Sequence, residues 1–319
     1  MTVLPHSFRV PFLTWALMQL SLHAQTPPAV DHHQHLFSLA TTAVSGATLV
    51  SAEDLALLLD EGGIRGAVVL SLAYQYGNPN RPPVEDEYTK VKSENDWTSQ
   101  QVAQFPERLR GFGSVNPLKE YAVKEVDRCA QDPFLRTGLK LHFGNSDVDL
   151  LNPEHVAKLR AVFRAANRNK MSIVVHLRSN YSHRRPHGAE QAQSFLDNVL
   201  TEAPDVTVQI AHLAGAGGYD EPSTDQALGV FIDAIAASDP RTQHLYFDVS
   251  GVAGIGEWPE RAELIVSRLR QIGFERILFG SDGTPELLRP RDAWADFCKL
   301  PLSESELRTI RSNKAPYFR

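Results

Sequence analysis

Residues 31–35 read Asp-His-His-Gln-His. In an extended strand, side chains two apart share a face. Asp31, His33 and His35 are therefore expected to project together, with His32 and Gln34 on the opposite side. Two imidazoles on one face can chelate a single cation, and neutral imidazole suits zinc, iron or manganese. Three later apolar runs also close on a residue that can do chemistry. Ser-Ile-Val-Val ends in His176, Gln-Ile-Ala ends in His212, and Leu-Phe-Gly-Ser ends in Asp282. Any one of these alone reads equally well as a hydrogen-bonded structural residue. Together they define a constellation if the strands that carry them end at one place.

Other residues flank this set. Lys140 and His142 lie two apart in Gly-Leu-Lys-Leu-His and share a strand face. Arg178 follows His176 by two and is expected to point the same way. It opens a basic stretch, 178–187, that contains three arginines and two histidines. An arginine fork above a cation site suits an anionic substrate group such as a carboxylate; a solvated loop of mixed charge is the plain alternative. Tyr74 and Tyr76 follow the second apolar run and can either gate a pocket or simply pack.

Such residues need elements that bring strand ends together. Eight short apolar runs recur, at 29–36, 66–72, 109–116, 137–143, 172–177, 206–213, 245–249 and 276–279. Between them run segments of helical periodicity. One spans 52–61 after Ser51, a suitable N-cap. Another begins at Asn152-Pro153, with proline at the first helical position; others cover 191–200, 225–237 and 260–272. Alternating strand and helix argues for a parallel sheet with right-handed crossovers. Eight units in this length fit a closed (β/α)8 TIM barrel, in which all strand carboxyl ends meet at one mouth. An open doubly wound sheet would want a Gly-rich first turn, and here the first strand runs into histidines instead. The polar connection 75–98 is expected to be a long loop and a candidate lid.

The chain has 319 residues, 42% hydrophobic and 22% charged, with a net charge of −6 and a pI near 6.1. No basic excess points to nucleic acid. Cys129 and Cys298 lack the paired spacing of a structural zinc site and read as free thiols in helices. Residues 1–24 hold Arg9, a short apolar run over 10–22 and Ala24, the pattern of a cleaved signal peptide. The run is too short to span a bilayer. The expected organisation is a leader over 1–24 and one barrel domain over 25–319, placed in the periplasm or secreted, otherwise cytoplasmic. Asn180-Tyr181-Ser182 is a glycosylation sequon, relevant only to a eukaryotic secretory host. A homodimer is possible, but no helix shows an unmistakable apolar seam.

The order Asp-x-His-x-His on strand one, His176 on strand five, His212 on strand six and Asp282 on strand eight resembles the amidohydrolase superfamily. The resemblance covers the chain after residue 28, and is greatest to its amidohydrolase 2 branch of hydrolases, lactonases and metal-dependent decarboxylases. Residues 105–111 (Phe-Pro-Glu-Arg-Leu-Arg-Gly), Asn116-Pro117 and the terminal 313–318 also match that branch, and Asn95-Asp96 stands where it often has such a pair. The resemblance implies a divalent ion, zinc by preference, held by His33, His35, His176 and Asp282. It implies that the ion activates a water, that Asp282 moves that water's proton, and that His212 polarises the substrate or binds a second ion. It further implies two states for Lys140. Carboxylated, it would bridge two ions; as an ammonium, beside one ion, it would orient an anionic substrate. One ion is the preferred expectation. His142, Arg178 and Tyr74 are the expected substrate contacts.

The expectation is a metal-dependent hydrolase of an amide, ester or lactone in a small, carboxylate-bearing substrate. A decarboxylase of the same branch is the alternative. A barrel that binds a ligand without turnover is a third reading, disfavoured because every position of the pattern is present.

Overall fold

The computed structural model describes residues 26–179, 185–219, 222–252, 259–284, 286 and 288–318. The expected leader, 1–24, and the sequon, 180–182, lie outside the described residues. So does the middle of the basic stretch, 180–184.

Eight strands form one parallel sheet in sequence order. They are β1 (Val30–Gln34), β2 (Gly66–Leu70), β3 (Leu109–Ser114), β4 (Gly138–His142), β5 (Ser172–His176), β6 (Val208–Ile210), β7 (Leu245–Asp248) and β8 (Ile277–Leu278). The edges meet: the His32 amide donates to the Phe279 carbonyl at 2.8 Å and the Asp282 amide to the His33 carbonyl at 2.9 Å. The expected (β/α)8 barrel is the observed fold. Among the described residues ten α-helices accompany the strands. They are α1 (Leu39–Ser45), α2 (Ala52–Gly62), α3 (Glu87–Val102), α4 (Ala122–Cys129), α5 (Pro153–Arg168), α6 (Ala189–Ser194), α7 (Pro222–Ala236), α8 (Pro259–Ile272), α9 (Pro290–Phe297) and α10 (Glu304–Ser312). No described helix is long and apolar enough to cross a membrane.

Local chemistry sets the helix starts. Ser51 accepts from the Asp54 amide while Asp54 answers the Ser51 amide, a complete capping box at α2. Asn152 accepts from the amides of Glu154 and His155, with Pro153 at the first turn of α5.

Two expectations change. Most of the connection 75–98 is not a loop: it holds a 3-10 turn, Ala73–Gly77, and the start of α3. Its helix buries only a few apolar side chains, Val91 and Val102 among them, so no apolar stripe announced it. The sixth run is also shorter as a strand than expected. After Ile210 the chain turns through His212, Leu213 and Ala214, all at positive φ (56°, 49° and 67°). Ordinary residues rarely adopt this left-handed conformation, and its strain is typical of functional sites.

The main core fills the layer between strands and helices. A smaller apolar cluster, Val68, Leu70, Phe112 and Val174, packs apart from it, with Tyr317 and Phe318 against it. The C-terminal turn Pro316–Phe318 thus closes the barrel floor. Contact there is close: a Cβ on Gly138 would lie 2.1 Å from the Phe112 ring, which only glycine tolerates. His32 belongs to this floor. Its Nδ1–H donates to the Phe279 carbonyl, its Nε2 accepts from the Ala315 amide, and its ring meets Tyr317 edge-on. Burial lowers its pKa to about 4, so it is a neutral structural pin.

Candidate metal centre

At the opposite end of the barrel the strand-end histidines meet. Their rings form a continuous arc. His35 lies 5.3 Å from His33, His33 lies 4.8 Å from His212, and His212 lies 5.0 Å from His176. His176 stacks on His142 at 3.9 Å, and Tyr74 closes the arc 5.1 Å from His142. Register explains the His142–His176 stack, because His142 of β4 pairs directly with His176 of β5.

The ring nitrogens are sorted by what each Nδ1 touches. His33 Nδ1 faces Asp248 Oδ2 at 3.0 Å, His35 Nδ1 faces the Leu70 carbonyl at 2.6 Å, and His212 Nδ1 faces the Ser250 carbonyl at 2.8 Å. Carboxylates and carbonyls only accept, so each Nδ1 carries its ring's proton and each Nε2 keeps a lone pair. All three Nε2 atoms point at one carboxylate. They stand 3.8, 3.6 and 3.9 Å from the oxygens of Asp282. Burial lowers the pKa of His35 to about 3 and also lowers that of His212, so both rings stay neutral. Desolvation at the mouth raises the pKa of Asp282, but the surrounding ring of imidazoles and Lys140 lower it on balance, and it stays ionised. It is 35% exposed at the mouth, while His33 is fully buried.

Neutral imidazole nitrogens with their protons fixed on the far side, together with one carboxylate, make a donor set that fits a divalent ion. Donor atoms of His33, His35 and Asp282 all lie within 4.8 Å of one another. The expected fourth ligand, His176, is not in that trio. It stands one ring away, buried between His142 and His212. A second cluster, His33, His212 and Asp248, also falls within 4.8 Å. It is a hydrogen-bonded network: Asp248 Oδ1 accepts from the His212 amide and the Ser250 hydroxyl, and Oδ2 from His33.

Lys140 is fully buried, with Nζ 3.3 Å from His33 Nε2. Burial lowers its pKa to about 8, against the opposing pull of Asp282 and Asp248. His142 differs from the other rings. Its Nδ1 accepts from the Asn145 amide at 3.1 Å, so the neutral ring carries its proton on Nε2 and offers a donor. Arg178 and Tyr74 are buried beyond β5 and β2.

Asp31 departs from expectation. Instead of joining His33 and His35 it accepts from the Gln34 amide and from the amide and hydroxyl of Ser281. The β1–β2 register shifts between Asp31 and Gln34, so strict two-residue alternation fails there. Asp31 ties β1 to the end of β8. Reasoning from sequence also missed Asp248, although Leu-Tyr-Phe-Asp is one more apolar run closed by a carboxylate. Asn95 has a structural place: its amide exchanges two hydrogen bonds with the Ser114 backbone at 2.9 Å each, fastening α3 to β3. Cys129 is a buried free thiol and Cys298 a partly buried one.

Fold and mouth together define a (β/α)8 barrel of the kind that carries its chemistry at the carboxyl ends of its strands. Residues 30–313 match the amidohydrolase family model, and the chain belongs to that family. No curated protein matches significantly. Among solved structures, 5-carboxyvanillate decarboxylase from Sphingomonas paucimobilis aligns with a TM-score of 0.61 at 13% identity, covering 90% of this chain and 97% of that one. Dihydroxybenzoic acid decarboxylase from Polaromonas sp. JS666, with bound manganese and the inhibitor 2-nitroresorcinol, gives 0.61 at 16%, covering 90% and 95%. A protein from Acinetobacter baumannii assigned as 2-pyrone-4,6-dicarboxylic acid hydrolase, with citric acid bound, gives 0.57 at 18%, covering 89% and 96%. At these identities the likeness speaks for the fold alone.

Proposed function

We propose that this chain is a metal-dependent hydrolase of a small, carboxylate-bearing substrate, with one divalent ion at the mouth. The observation that carries this reading is the convergence of three Nε2 atoms, each with its Nδ1 proton fixed, on Asp282. His33, His35 and Asp282 would hold the ion; His212 is the nearest further imidazole, and His176 lies one ring beyond it. When bound, the ion supplies a Lewis acid that polarises a substrate oxygen or a water. Asp282, ionised and open to the mouth, accepts a proton there and returns it to the leaving group. His212, whose unprotonated Nε2 faces the same side, accepts a hydrogen bond there from the water or from a substrate donor. His142 donates from Nε2, Arg178 supplies the cation for the substrate's carboxylate, and Tyr74 walls the pocket.

One ion suits these residues better than two. His33 Nδ1 and both Asp248 oxygens are already engaged with each other and with neighbouring donors. Lys140 serves as an ammonium beside the ion, and zinc and manganese are the candidate metals. Export through residues 1–24 belongs to the same reading, and the amino terminus of the mature protein tests it.

Decarboxylation is the second reading. The aligned neighbours that are decarboxylases of aromatic acids favour it, and Asp282 would then first take a proton from water or a substrate hydroxyl and pass it to the carbon that loses CO2. A panel of esters, lactones, amides and aromatic carboxylates, scored for hydrolysis and for CO2 release with zinc and with manganese, separates the two. Hydrolysis without CO2 supports the first reading. Release of CO2 without water consumption replaces it with the second, and metal-independent turnover removes both.

A further inference from the structure

A line of hydrogen bonds runs from the barrel floor to the metal centre through side chains that no catalytic role accounts for. It begins at Tyr317, in the C-terminal turn that packs under the barrel. Its ring sits edge-on to Phe112 at 5.1 Å, against the apolar floor cluster. Its hydroxyl donates to Oε1 of Gln209 on β6. Gln209 Nε2 donates to Asp248 Oδ2 at 2.6 Å and to the His32 carbonyl at 3.3 Å. The same Asp248 oxygen accepts from His33 Nδ1 at 3.0 Å. Gln209, Asp248 and His33 are all buried.

The orientation of the Gln209 amide is over-determined. Both groups facing Nε2, a carboxylate and a carbonyl, can only accept, so the amide cannot be flipped without two repulsive contacts. Its oxygen must then face the floor, where Tyr317 supplies the donor. A floor plug needs an aromatic ring and no hydroxyl, as Phe318 shows one residue on. A hydroxyl placed in an apolar floor is unfavourable unless bonded, and this one is bonded to Gln209.

We propose that the C-terminal turn is a positioning element of the metal centre: Tyr317 sets Gln209, Gln209 sets Asp248, and Asp248 presents His33 to the ion. The inference rests on the reading of the mouth as a metal site. Asp248 acts directly on a ligand, where loss of an outer partner weakens metal binding by about 10–100-fold. Tyr317 acts two bonds further out, so its effect lies at or below the low end of that range.

The test measures zinc and manganese affinity of the full chain by competition with a chromophoric chelator, alongside unfolding of the metal-free protein. Tyr317→Phe and Gln209→Met are expected to weaken affinity by about three- to tenfold. In an Asp248→Asn background Tyr317→Phe should add nothing, because the path is already cut; Gln209→Met replaces that background if Asp248→Asn does not fold. A plug without this role predicts a lower unfolding midpoint for Tyr317→Phe with unchanged affinity, and that result overturns the proposal. So do losses that simply add. A wild-type chain that takes up neither metal overturns the reading of the mouth and this inference together, whereas normal uptake by all variants removes this inference alone.

Discussion

Asp248 Oδ2 lies 3.0 Å from His33 Nδ1, on the far side of the ring from Asp282. The carboxylate also accepts from Gln209, from the backbone amides of His212 and Ser250, and from the Ser250 hydroxyl. Burial pushes its pKa up, but the donors gathered on it from His33, His212 and Ser250 outweigh that and hold it far below the usual carboxylate range. Asp248→Asn would set an amide NH2 against donors that need an acceptor. We expect divalent-metal affinity to fall about 10–100-fold with the fold retained, as read by isothermal titration with zinc or manganese. Unchanged affinity would show that His33 needs no such partner.

Asp282 is the carboxylate on which the Nε2 atoms converge, and it alone of that group is substantially exposed. Asp282→Asn keeps the shape and removes the proton acceptor. Turnover of the substrate found by the panel should fall by about 10²- to 10⁴-fold, with some metal retained. Steady-state kinetics beside metal analysis checks both halves, and wild-type turnover would take away the role.

Acid should destabilise the protein through His32. Its folded pKa is about 4, against 6.5 for the unfolded chain, with burial the cause. Between these values the unfolded state binds a proton that the folded state does not. Stability is therefore lost as pH falls from about 6.5 and levels off near 4, at about 1.4 kcal/mol per pH unit from this residue. Denaturant titrations of the metal-free protein at several pH values should show a slope to which the buried mouth histidines also contribute, and His32→Gln should reduce it by the share of this one residue. An equal slope in the variant would place the acid sensitivity elsewhere.

The barrel floor makes a sharper packing prediction. Gly138→Ala places a methyl group 2.1 Å from the Phe112 ring. Overpacking of this kind costs about 1–3 kcal/mol. Gly229, within α7, has nothing near its would-be Cβ, and Gly229→Ala should be neutral or stabilising by up to about 1 kcal/mol. Urea midpoints of the two variants decide it; equal midpoints would mean the floor is not tightly packed.

The strand-end residues were legible in the sequence because burial forces parallel strands into apolar runs, against which His176, His212 and Asp282 stand out. Asp31 was misplaced because the register shift after it breaks the alternation on which the inference relied. Helix α3 stayed hidden because it is polar on most of its surface. The left-handed turn that aims His212 uses His-Leu-Ala, with no glycine to mark it. Most of all, Asp248, Gln209 and Tyr317 act through partners far off in sequence. The Tyr317–Gln209 bond joins residues 108 positions apart and the His33–Asp248 bond residues 215 apart; no local spacing encodes such pairs.

Anomalous scattering at a metal absorption edge, from crystals of the purified chain, tests the account at its centre. The expected result is one ion at the barrel mouth, bound by Nε2 of His33, Nε2 of His35 and a carboxylate oxygen of Asp282, with Asp248 on Nδ1 of His33. A mouth that takes up no ion after soaking in zinc or manganese, or an ion bound away from these three residues, would contradict it.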